Sequence, residues 1–457
     1  MAKYRKYAEY KDSGVEWLGE IPSHWDLYSL KRSVDKCTNG FWGGEPDGRN
    51  DLCVLRVADF NRDNFTINED KLTLRSVLPK EAESRLLKKG DLLIEKSGGG
   101  EKTLVGCVVQ FDKDFPAITS NFVAKMTPNV ITDSKYLTYT FAHLYSGRVN
   151  FPSIKQTTGI QNLDSEAYLM EKFGFPSKNE QIQIANFLDH ETAKIDHLIE
   201  KQQKLIELLK EKRQAVISHA VTKGLNPDVT MKDSGVEWLG QVPEHWVVKS
   251  YRLASRIYRG KFGHRPRNDP AFYDGDYPFI QTGDVARAGK YITSYSQTLN
   301  EKGKEVSQLF PKGTLMMAIA ANIGDIAILG FEAYAPDSVV GFKPNNDIDL
   351  EFLRYSFIAA LPALEQTSTQ STQANLNVER IGAVKSTFPS LQEQREIVGY
   401  LDNLLEQYRN LVKIAENAIS LMQERRTALI SAAVTGKIDV RNWQAPTVVE
   451  AQTELNA

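Results

Sequence analysis

The residues of this chain best suited to chemistry form a basic loop, not a catalytic constellation. Between Arg252 and Asn268 no acidic residue occurs, and basic side chains alternate with glycines and aromatic residues. Such a composition is typical of a loop that follows phosphates or contacts base edges, and a solvated surface loop is the alternative interpretation. The candidates for nucleic-acid contact in this loop are Arg256, Arg259, Lys261, His264, Arg265 and Arg267.

Further candidates lie in a glycine-rich segment and in two polar stretches. The glycine-rich segment 97–103 lacks the glycine that a P-loop places directly before its lysine, so it predicts a flexible loop whose backbone approaches a ligand. The stretches 155–162 and 367–375 are rich in amides and hydroxyls, which can contact base edges but can equally cap helices or bind water. These candidates are Lys96, Ser97, Gly98, Gly99, Lys102, Lys155, Gln156, Thr157, Thr158, Gln161, Thr369, Gln370, Thr372 and Gln373.

Motifs for catalysis and cofactor binding are absent from the sequence. It contains no H-E-x-x-H, G-x-S-x-G or G-x-G-x-x-G motif, and no Asn/Asp-Pro-Pro-aromatic motif of amino-methyltransferases. Because Cys37, Cys53 and Cys107 form no C-x-x-C pair, we expect a reducing cytoplasm and no structural zinc. We predict no catalytic, cofactor-binding or metal-binding residue, and a soluble chain without a signal peptide or membrane span.

Two long amphipathic segments must position these candidates. Residues 180–220 and 393–433 repeat each other at an offset of 213 positions, with a strict seven-residue spacing along one seam. This spacing predicts two long helices that bury their seams against each other, and the polar Gln202 is a hypothetical register-fixing residue. The seam consists of Leu188, Ile195, Gln202, Leu209 and Val216 in the first helix, and of Leu401, Tyr408, Ala415, Met422 and Leu429 in the second.

Start signals, stop signals and a connector are duplicated too. An S-x-x-E capping box precedes each helix and a glycine follows each, at Ser177 with Glu180, Ser390 with Glu393, Gly224 and Gly436. Residues 11–25 and 232–246 are identical at twelve of fifteen positions and predict turn-rich connectors anchored by tryptophan. Their tryptophans and histidines are interpreted as packing and hydrogen-bonding residues.

Two regions of unlike sequence lie between connector and helix, each long enough for its own core. Short β-rich runs separated by Gly and Pro predict mostly-β domains with few helices, such as 135–145 and 350–361. The regions share a skeleton, because 54–59 parallels 279–284, 90–94 parallels 313–317, 106–109 parallels 324–327, and 162–163 parallels 375–376. The predicted divisions are 1–32 (connector), 33–174 (first domain), 175–226 (central helix), 227–253 (second connector), 254–387 (second domain), 388–439 (C-terminal helix) and 440–457 (poorly ordered tail).

The order of these parts resembles the specificity subunit of type I restriction–modification enzymes. The motif W-L-G-x-[IV]-P-x-H-W, a variable domain, and F-P-S-x-x-E-Q opening a long helix that ends in A-V-T all occur twice, across about residues 10–440. The resemblance implies an α+β fold in which two mostly-β target-recognition domains are separated by two long antiparallel helices that form a coiled coil, as a pseudo-two-fold internal repeat.

The resemblance also implies partners and a division of labour. Each domain would read one half of a bipartite double-stranded DNA site, and the helices would set the gap between half-sites and dock two methyltransferase subunits. S-adenosylmethionine belongs to the methyltransferase partner, and ATP and Mg belong to the restriction subunits. Two alternatives stay open: a coiled-coil scaffold that binds proteins instead of DNA, and a stand-alone DNA-modifying enzyme with an unrecognised site.

Overall fold

In a computed structural model of the protein, the described residues are 4–100, 103–157, 159–320, 324–366 and 377–445. The chain divides into two compact units: unit 1 comprises Met1–Gln202 and Asn417–Ala457, and unit 2 comprises Gln203–Glu416. The helices are α1 (Pro79–Ala82), α2 (Ser134–Ser146), α3 (Ser165–Leu169), α4 (Lys178–Lys223), α5 (Tyr251–Ala254), α6 (Thr282–Arg287), α7 (Glu301–Glu305), α8 (Leu350–Gln366), α9 (Val378–Ala383) and α10 (Leu391–Val434). The domain boundaries drawn from the sequence stay predictions.

Unit 1 contains the first sixteen strands. They are β1 (Tyr10–Asp12), β2 (Glu20–Pro22), β3 (Asp26–Ser29), β4 (Val34–Asn39), β5 (Asp51–Leu55), β6 (Phe60–Asn61), β7 (Thr66–Ile67), β8 (Thr73–Ser76), β9 (Leu92–Glu95), β10 (Ser97–Gly98), β11 (Val108–Gln110), β12 (Ala117–Thr119), β13 (Val123–Pro128), β14 (Ile154–Thr157), β15 (Ile160–Leu163) and β16 (Lys172–Phe175). The larger sheets have the orders β11-β9-β13-β4, β12-β5-β8 and β10-β15-β14. All four residues of β9 are buried, which explains its continuous apolar run.

The described residues of unit 2 contain thirteen strands. They are β17 (Met231–Asp233), β18 (Gln241–Pro243), β19 (Val247–Ser250), β20 (Ser255–Arg259), β21 (Tyr273–Phe279), β22 (Tyr291–Ile292), β23 (Gln297–Leu299), β24 (Gln308–Phe310), β25 (Leu315–Ala318), β26 (Ile326–Leu329), β27 (Ala333–Ala335), β28 (Val339–Pro344) and β29 (Lys385–Phe388). A five-stranded sheet β20-β28-β25-β26-β22 and a four-stranded sheet β23-β21-β27-β24 form most of the unit.

The skeleton shared by the two domains is confirmed by strand pairing. In unit 1, β9 pairs with β11 and β13, and in unit 2 the corresponding β25 pairs with β26 and β28, all antiparallel. Buried Asp59 and Asp284 make the same turn, because each carboxylate accepts a hydrogen bond from the backbone N–H three residues earlier, at 2.7 Å and 2.9 Å. The last predicted correspondence, 162–163 with 375–376, includes a pair that lies outside the described residues.

The two long helices, α4 with 46 residues and α10 with 44, run antiparallel. In unit 1, Leu188 near the start of α4 shares a core with Leu429 near the end of α10. In unit 2, Ile217 near the end of α4 shares a core with Leu401 near the start of α10. All ten predicted seam residues are buried or half-buried. The predicted α+β fold, with two mostly-β domains and an antiparallel helix pair, is confirmed, whereas the role of Gln202 in register stays a prediction.

The start of each long helix departs from the predicted capping box. Ser177 and Ser390 do accept a hydrogen bond from the backbone N–H three residues later, at 3.4 Å and 3.3 Å. The glutamate carboxylate does not accept a hydrogen bond from the backbone N–H of the serine, as it would in a capping box. Instead, Glu180 is buried and accepts hydrogen bonds from Tyr7 (2.8 Å), His24 (2.9 Å) and Trp25 (3.0 Å). The glutamate of the S-x-x-E motif therefore joins the helix to the connector.

The second connector repeats this arrangement on α10. Glu393 accepts hydrogen bonds from His245 and Trp246, both at 3.0 Å. Each connector also lies close to the end of the other long helix of its unit. If the glycine at that end had a Cβ atom, the atom would lie 2.4 Å from Pro22 at Gly436 and 3.3 Å from Trp246 at Gly224. Both glycines have positive φ, as predicted for helix ends. The connectors are clasps that hold one helix start against one helix end.

The glutamine that follows each clasp glutamate positions the domain. Gln181 accepts a hydrogen bond from the backbone N–H of Asp133, just before α2, and Gln394 accepts one from Asp349, just before α8, both at 2.8 Å. Their amide groups also donate to Pro176 (3.0 Å) and Pro389 (2.9 Å). The Pro-Ser-x-x-Glu-Gln motif thus fixes connector, helix and domain together within each unit.

The segment after α10 differs from the prediction of a poorly ordered tail. Val440 is buried, and Trp443 packs edge-on against Phe187 with ring centroids 5.6 Å apart. The backbone N–H of Asp439 donates to the carbonyl of Arg5 at 2.7 Å, so the first residues of the predicted tail belong to the core of unit 1. Residues 446–457 lie outside the described residues.

Candidate nucleic-acid interface

A small sheet in unit 1 unites two candidate groups that are far apart in the sequence. Strand β10 pairs with β15, and β15 forms a hairpin with β14. The register places Ser97 opposite Asn162 and Gly98 opposite Gln161, while Lys155 and Gln156 lie opposite the same two residues on the other side. The glycine-rich segment and the amide-rich stretch therefore form one surface, which we call the β10–β14 sheet.

Gln161 is a structural residue, which corrects its assignment as a base-contacting candidate. Only 6% of the residue is exposed. Its Oε1 accepts a hydrogen bond from the Val105 N–H at 3.0 Å, and its Nε2 donates to the carbonyl of Gly100 at 3.1 Å. A Cβ at Gly99, which has a φ of +66°, would lie 2.9 Å from the Gln161 Oε1. This glutamine therefore holds the glycine-rich segment in place and has no free amide for a base.

The other candidates of this sheet are more accessible. Gln156 and Gly99 are exposed, and exposed Lys155 pairs with Asp164 at 3.1 Å. Lys96 donates a hydrogen bond to Asn39 at 2.7 Å. Ser97 and Gly98 are half-buried, and Thr157 ends β14. Lys102 and Thr158 lie outside the described residues.

Beneath the β10–β14 sheet lies a buried charged pair that sequence reasoning missed. Glu95 is completely buried and accepts a hydrogen bond from the guanidinium of Arg62 at 3.0 Å. Burial raises the pKa of Glu95, although Arg62 opposes this rise. Its Oε2 has no hydrogen-bond partner among the described residues, and a Cβ at Gly98 would lie 2.8 Å from Oε1. A glutamate at the end of the otherwise apolar strand β9 was the signal that could have revealed the pair.

The basic loop of unit 2 is anchored by residues on both sides. Phe262 is buried among aromatic rings, and His264 stacks on Phe272 at 4.0 Å while its Nε2 hydrogen-bonds to Asp269 at 3.0 Å. Arg265 and Arg267 both pair with Asp337. Asp337, which lies outside the basic segment, therefore neutralises part of the charge of these two arginines.

Three basic candidates of unit 2 stay available at the surface. Arg256 and Arg259 are exposed on β20, and Arg256 stacks on the ring of Tyr258 at 5.1 Å. Lys261 is exposed too, and neither it nor Arg259 makes a side-chain hydrogen bond or ion pair within the described ranges. The candidates Thr369, Gln370, Thr372 and Gln373 lie outside those ranges.

Within the described part of the chain, no cluster of three or more His, Cys, Asp or Glu side chains could hold a metal ion. No helix in that part is long and apolar enough to cross a membrane. The three cysteines are free thiols. The geometry of the candidate residues supports contact with an anionic polymer through exposed cations and amides.

Comparison with known proteins identifies relatives of the whole layout. Residues 262–418 match the family model described as type I restriction modification DNA specificity domain. The type I restriction enzyme EcoKI specificity subunit of Escherichia coli is 22% identical over 79% of this chain and 78% of that relative. The MjaVIII specificity subunit of Methanocaldococcus jannaschii is 24% identical, covering 71% of this chain and 75% of the relative. The MjaIX specificity subunit of that organism is 27% identical, but the match spans only 43% of its length.

Solved structures share the fold. A chain from a study of complex assembly and conformational transition of the type I R-M system aligns with a TM-score of 0.67 and 14% identity, over 91% of this chain and 98% of that chain. The HsdS subunit from Thermoanaerobacter tengcongensis aligns with a TM-score of 0.51 and 14% identity, over 92% and 98% of the two chains. With its doubled clasps, its paired helices and a specificity domain matched over residues 262–418, this chain is similar to the DNA specificity subunits of type I restriction–modification systems.

Proposed function

We propose that this chain recognises a bipartite site in double-stranded DNA, with one β domain for each half-site, and that it catalyses no reaction itself. The observation that carries the proposal is that two domains with one skeleton present different polar surfaces. Unit 1 presents the β10–β14 sheet with Lys155 and Gln156, and unit 2 presents Arg256, Arg259 and Lys261 beside β20. A shared frame with unlike contact residues is suited to reading two unlike sequences.

The proposal includes partners that do the chemistry. Two methyltransferase subunits bind S-adenosylmethionine and modify adenine, and restriction subunits use ATP and Mg. The methyltransferase must take its target base out of the stack, whereas this chain holds the duplex and selects the site. We place the assembly in the cytoplasm, where the chromosome is found, with no membrane partner.

A domain exchange tests the two-reader proposal. Residues 254–387 are replaced by the second domain of a relative, and the host's methylated motifs are read by methylome sequencing. We expect one half of the methylated motif to change while the other half and the gap stay constant. A motif that changes in both halves, or in neither, would contradict one domain for each half-site.

A binding assay separates the DNA proposal from a protein-only scaffold. Arg259→Ala and Lys261→Ala should weaken binding of the methyltransferase-bound complex to any duplex and reduce the slope of affinity against salt by about one unit for each lost phosphate contact. Lys232→Ala in the second connector is the matched control and should bind as the parent does. If no complex changes the electrophoretic mobility of any duplex, the interpretation as a scaffold that binds proteins replaces the interpretation as a DNA-binding protein.

A further inference from the structure

A basic cavity in unit 2 lies outside the surfaces to which the proposed function assigns DNA contact. It has a volume of about 430 Å³ and lies where α4, α8 and α10 meet the loop before β22 and the start of β26. Five basic residues and two acidic ones contribute to its lining, which is large enough for a small ligand. The cations are Lys210, Arg213, Lys290, Arg354 and Arg409, and the acids are Asp325 and Asp402.

Arg354 is the most unusual of these residues. It sits on α8 with 9% of its surface exposed, and its Nε has no hydrogen-bond partner among the described residues. Its guanidinium carbon lies over the ring of Tyr355, 5.2 Å from the ring centroid. A buried donor without a partner is costly, so a site that keeps one is suited to a ligand that accepts from it.

The neighbouring acids do not neutralise Arg354. Asp402 accepts hydrogen bonds from Lys290 at 2.8 Å and from Tyr355 at 2.5 Å, and Lys290 also pairs with Glu351. Within the described ranges, neither Arg213 nor Arg354 forms an ion pair. Asp325 is the remaining acid of the lining. The cavity therefore carries an excess of positive charge.

The corresponding position in unit 1 is neutral. At the offset of 213 residues, Arg213 corresponds to Arg426 and Arg409 to Asp196. In unit 1 the buried Arg426 pairs with Asp196 at 2.9 Å and also donates to the carbonyl of Asp63 at 3.0 Å. Where unit 1 has an ion pair, unit 2 has two arginines. Five residues after Asp133 and Asp349, which precede α2 and α8 in the two units, unit 1 has Thr138 and unit 2 has Arg354, so the third arginine is specific to unit 2 as well.

The arginines of unit 2 influence one another. Burial lowers the pKa of Arg213, and the positive charges of Arg354 and Arg409 lower it further. Arg409 does have one local partner, Glu406, at 2.5 Å. Several guanidinium groups directed at one space repel each other until an anion with more than one charge lies between them.

We propose that this cavity binds a phosphate group. A carboxylate is planar and singly charged, so one arginine satisfies it through two parallel hydrogen bonds. A phosphate is tetrahedral, carries up to two charges and accepts from several directions, which matches three arginines on three different helices. The phosphate can belong to a small molecule, such as pyrophosphate or a nucleotide, or to the backbone of bound DNA.

The first arm of the test uses free phosphates and no DNA. Thermal unfolding of the full chain is followed with sodium pyrophosphate, with ATP, and with sodium chloride at the same ionic strength. We expect pyrophosphate or ATP to raise the Tm, because a ligand that binds only the folded state stabilises it. Arg213→Gln and Arg354→Gln should each weaken the binding about tenfold. Arg395→Gln, an exposed arginine on α10, is the matched control and should respond as the parent does.

The second arm uses duplex DNA. If free phosphates have no effect but Arg213→Gln and Arg354→Gln weaken duplex binding more than Arg395→Gln does, with a shallower salt dependence, the phosphate comes from DNA. Because Arg213 is more exposed than Arg354, its variant keeps the test valid if Arg354→Gln unfolds. Equal responses of all three variants and the parent in both arms would overturn the proposal. The first arm is independent of the DNA-reading function, so the two proposals can fail separately.

Discussion

Phe187 and Tyr400 occupy the same position in the two long helices, 213 residues apart, yet Phe187 is completely buried and 47% of Tyr400 is exposed. In unit 1, Tyr4 and Trp443 pack edge-on against Phe187, with ring centroids at 5.3 Å and 5.6 Å. In unit 2, Tyr400 lines an open groove of about 440 Å³. The two ends of the chain thus complete a core in unit 1 that has no counterpart among the described residues of unit 2.

The packing around Phe187 and Tyr400 differs because different segments of the chain precede and follow the two clasps. Unit 1 receives two separate segments, one before the first connector and one after α10. In unit 2, α4 runs into the second connector without a break. Leu225, which corresponds to Tyr4 at the offset of 221 residues between the two connectors, is 43% exposed beside the groove. Internal duplication has therefore preserved the backbone pairing and the clasps, while burial and charge have diverged.

The largest expected difference in stability is between substitutions of Phe187 and Tyr400. Phe187→Ala should destabilise unit 1 by about 3–5 kcal/mol, because it removes a buried ring and leaves a cavity. Tyr400→Ala should cost less than about 1 kcal/mol, because much of its ring is already in water. Urea unfolding gives the total change, and hydrogen exchange of peptides from each helix start assigns it to a unit. Equal losses would show that the groove of unit 2 is filled in solution.

The second-largest difference in stability is expected between substitutions of the two clasp glutamates, Glu180 and Glu393. Glu180→Ala removes the acceptor of three hydrogen bonds from a buried site and should cost about 3 kcal/mol. Glu393→Ala removes two, and its side chain is 29% exposed, so about 1–2 kcal/mol is expected. Hydrogen exchange of the connector peptides measures each change. A larger loss for Glu393→Ala would contradict the burial difference.

The charged positions on the helices give a smaller contrast. Arg426→Met should destabilise unit 1 by about 1–2 kcal/mol, because it breaks the pair with Asp196, whose side chain is 43% exposed. Arg213→Met should leave the stability of unit 2 unchanged or raise it, since it removes a cation that faces other cations. The midpoint of urea unfolding without phosphate checks both. A loss at Arg213 equal to that at Arg426 would mean that the arginine has a carboxylate partner.

Local periodicity explains what could be predicted from the sequence. The heptad seam, the glycines after each helix and the repeated strand skeleton depend on neighbours in the chain, and all three are found in the structure. The failures involve partners that are distant in sequence. Glu180 looked like half of a capping box because serine lies three residues away, but its true partners lie about 155–173 residues away.

The candidate site was harder to predict for the same reason. Gln161 looked like a base-reading amide, and only its bonds across 56 and 61 positions reveal that it holds a loop. Asp337 neutralises Arg265 and Arg267 from outside the basic segment. Composition identifies residues that can contact DNA, whereas their availability depends on long-range pairs that no pattern within a segment contains.

The smallest contrast is a pH effect at another pair of corresponding positions, His143 on α2 and Ala359 on α8. His143 lies near Trp17 and Phe173, and burial together with the charge of Lys437 lowers its pKa to about 4. An unfolded histidine has a pKa of about 6.5, so between these values the unfolded state binds more protons than the folded state. Unit 1 therefore loses stability as the pH falls from about 6.5 towards 4.

Lowering the pH from 7 to 5.5 should cost unit 1 about 1 kcal/mol through this residue, and Ala359 gives unit 2 no corresponding loss. Hydrogen exchange of α2 and α8 peptides at both pH values, corrected for the intrinsic exchange rate, measures the two units in one sample. His143→Gln should remove most of the pH dependence of α2, because its amide does not titrate. If α2 weakens equally in this variant, the loss comes from other groups and the histidine is charged without cost in the folded chain.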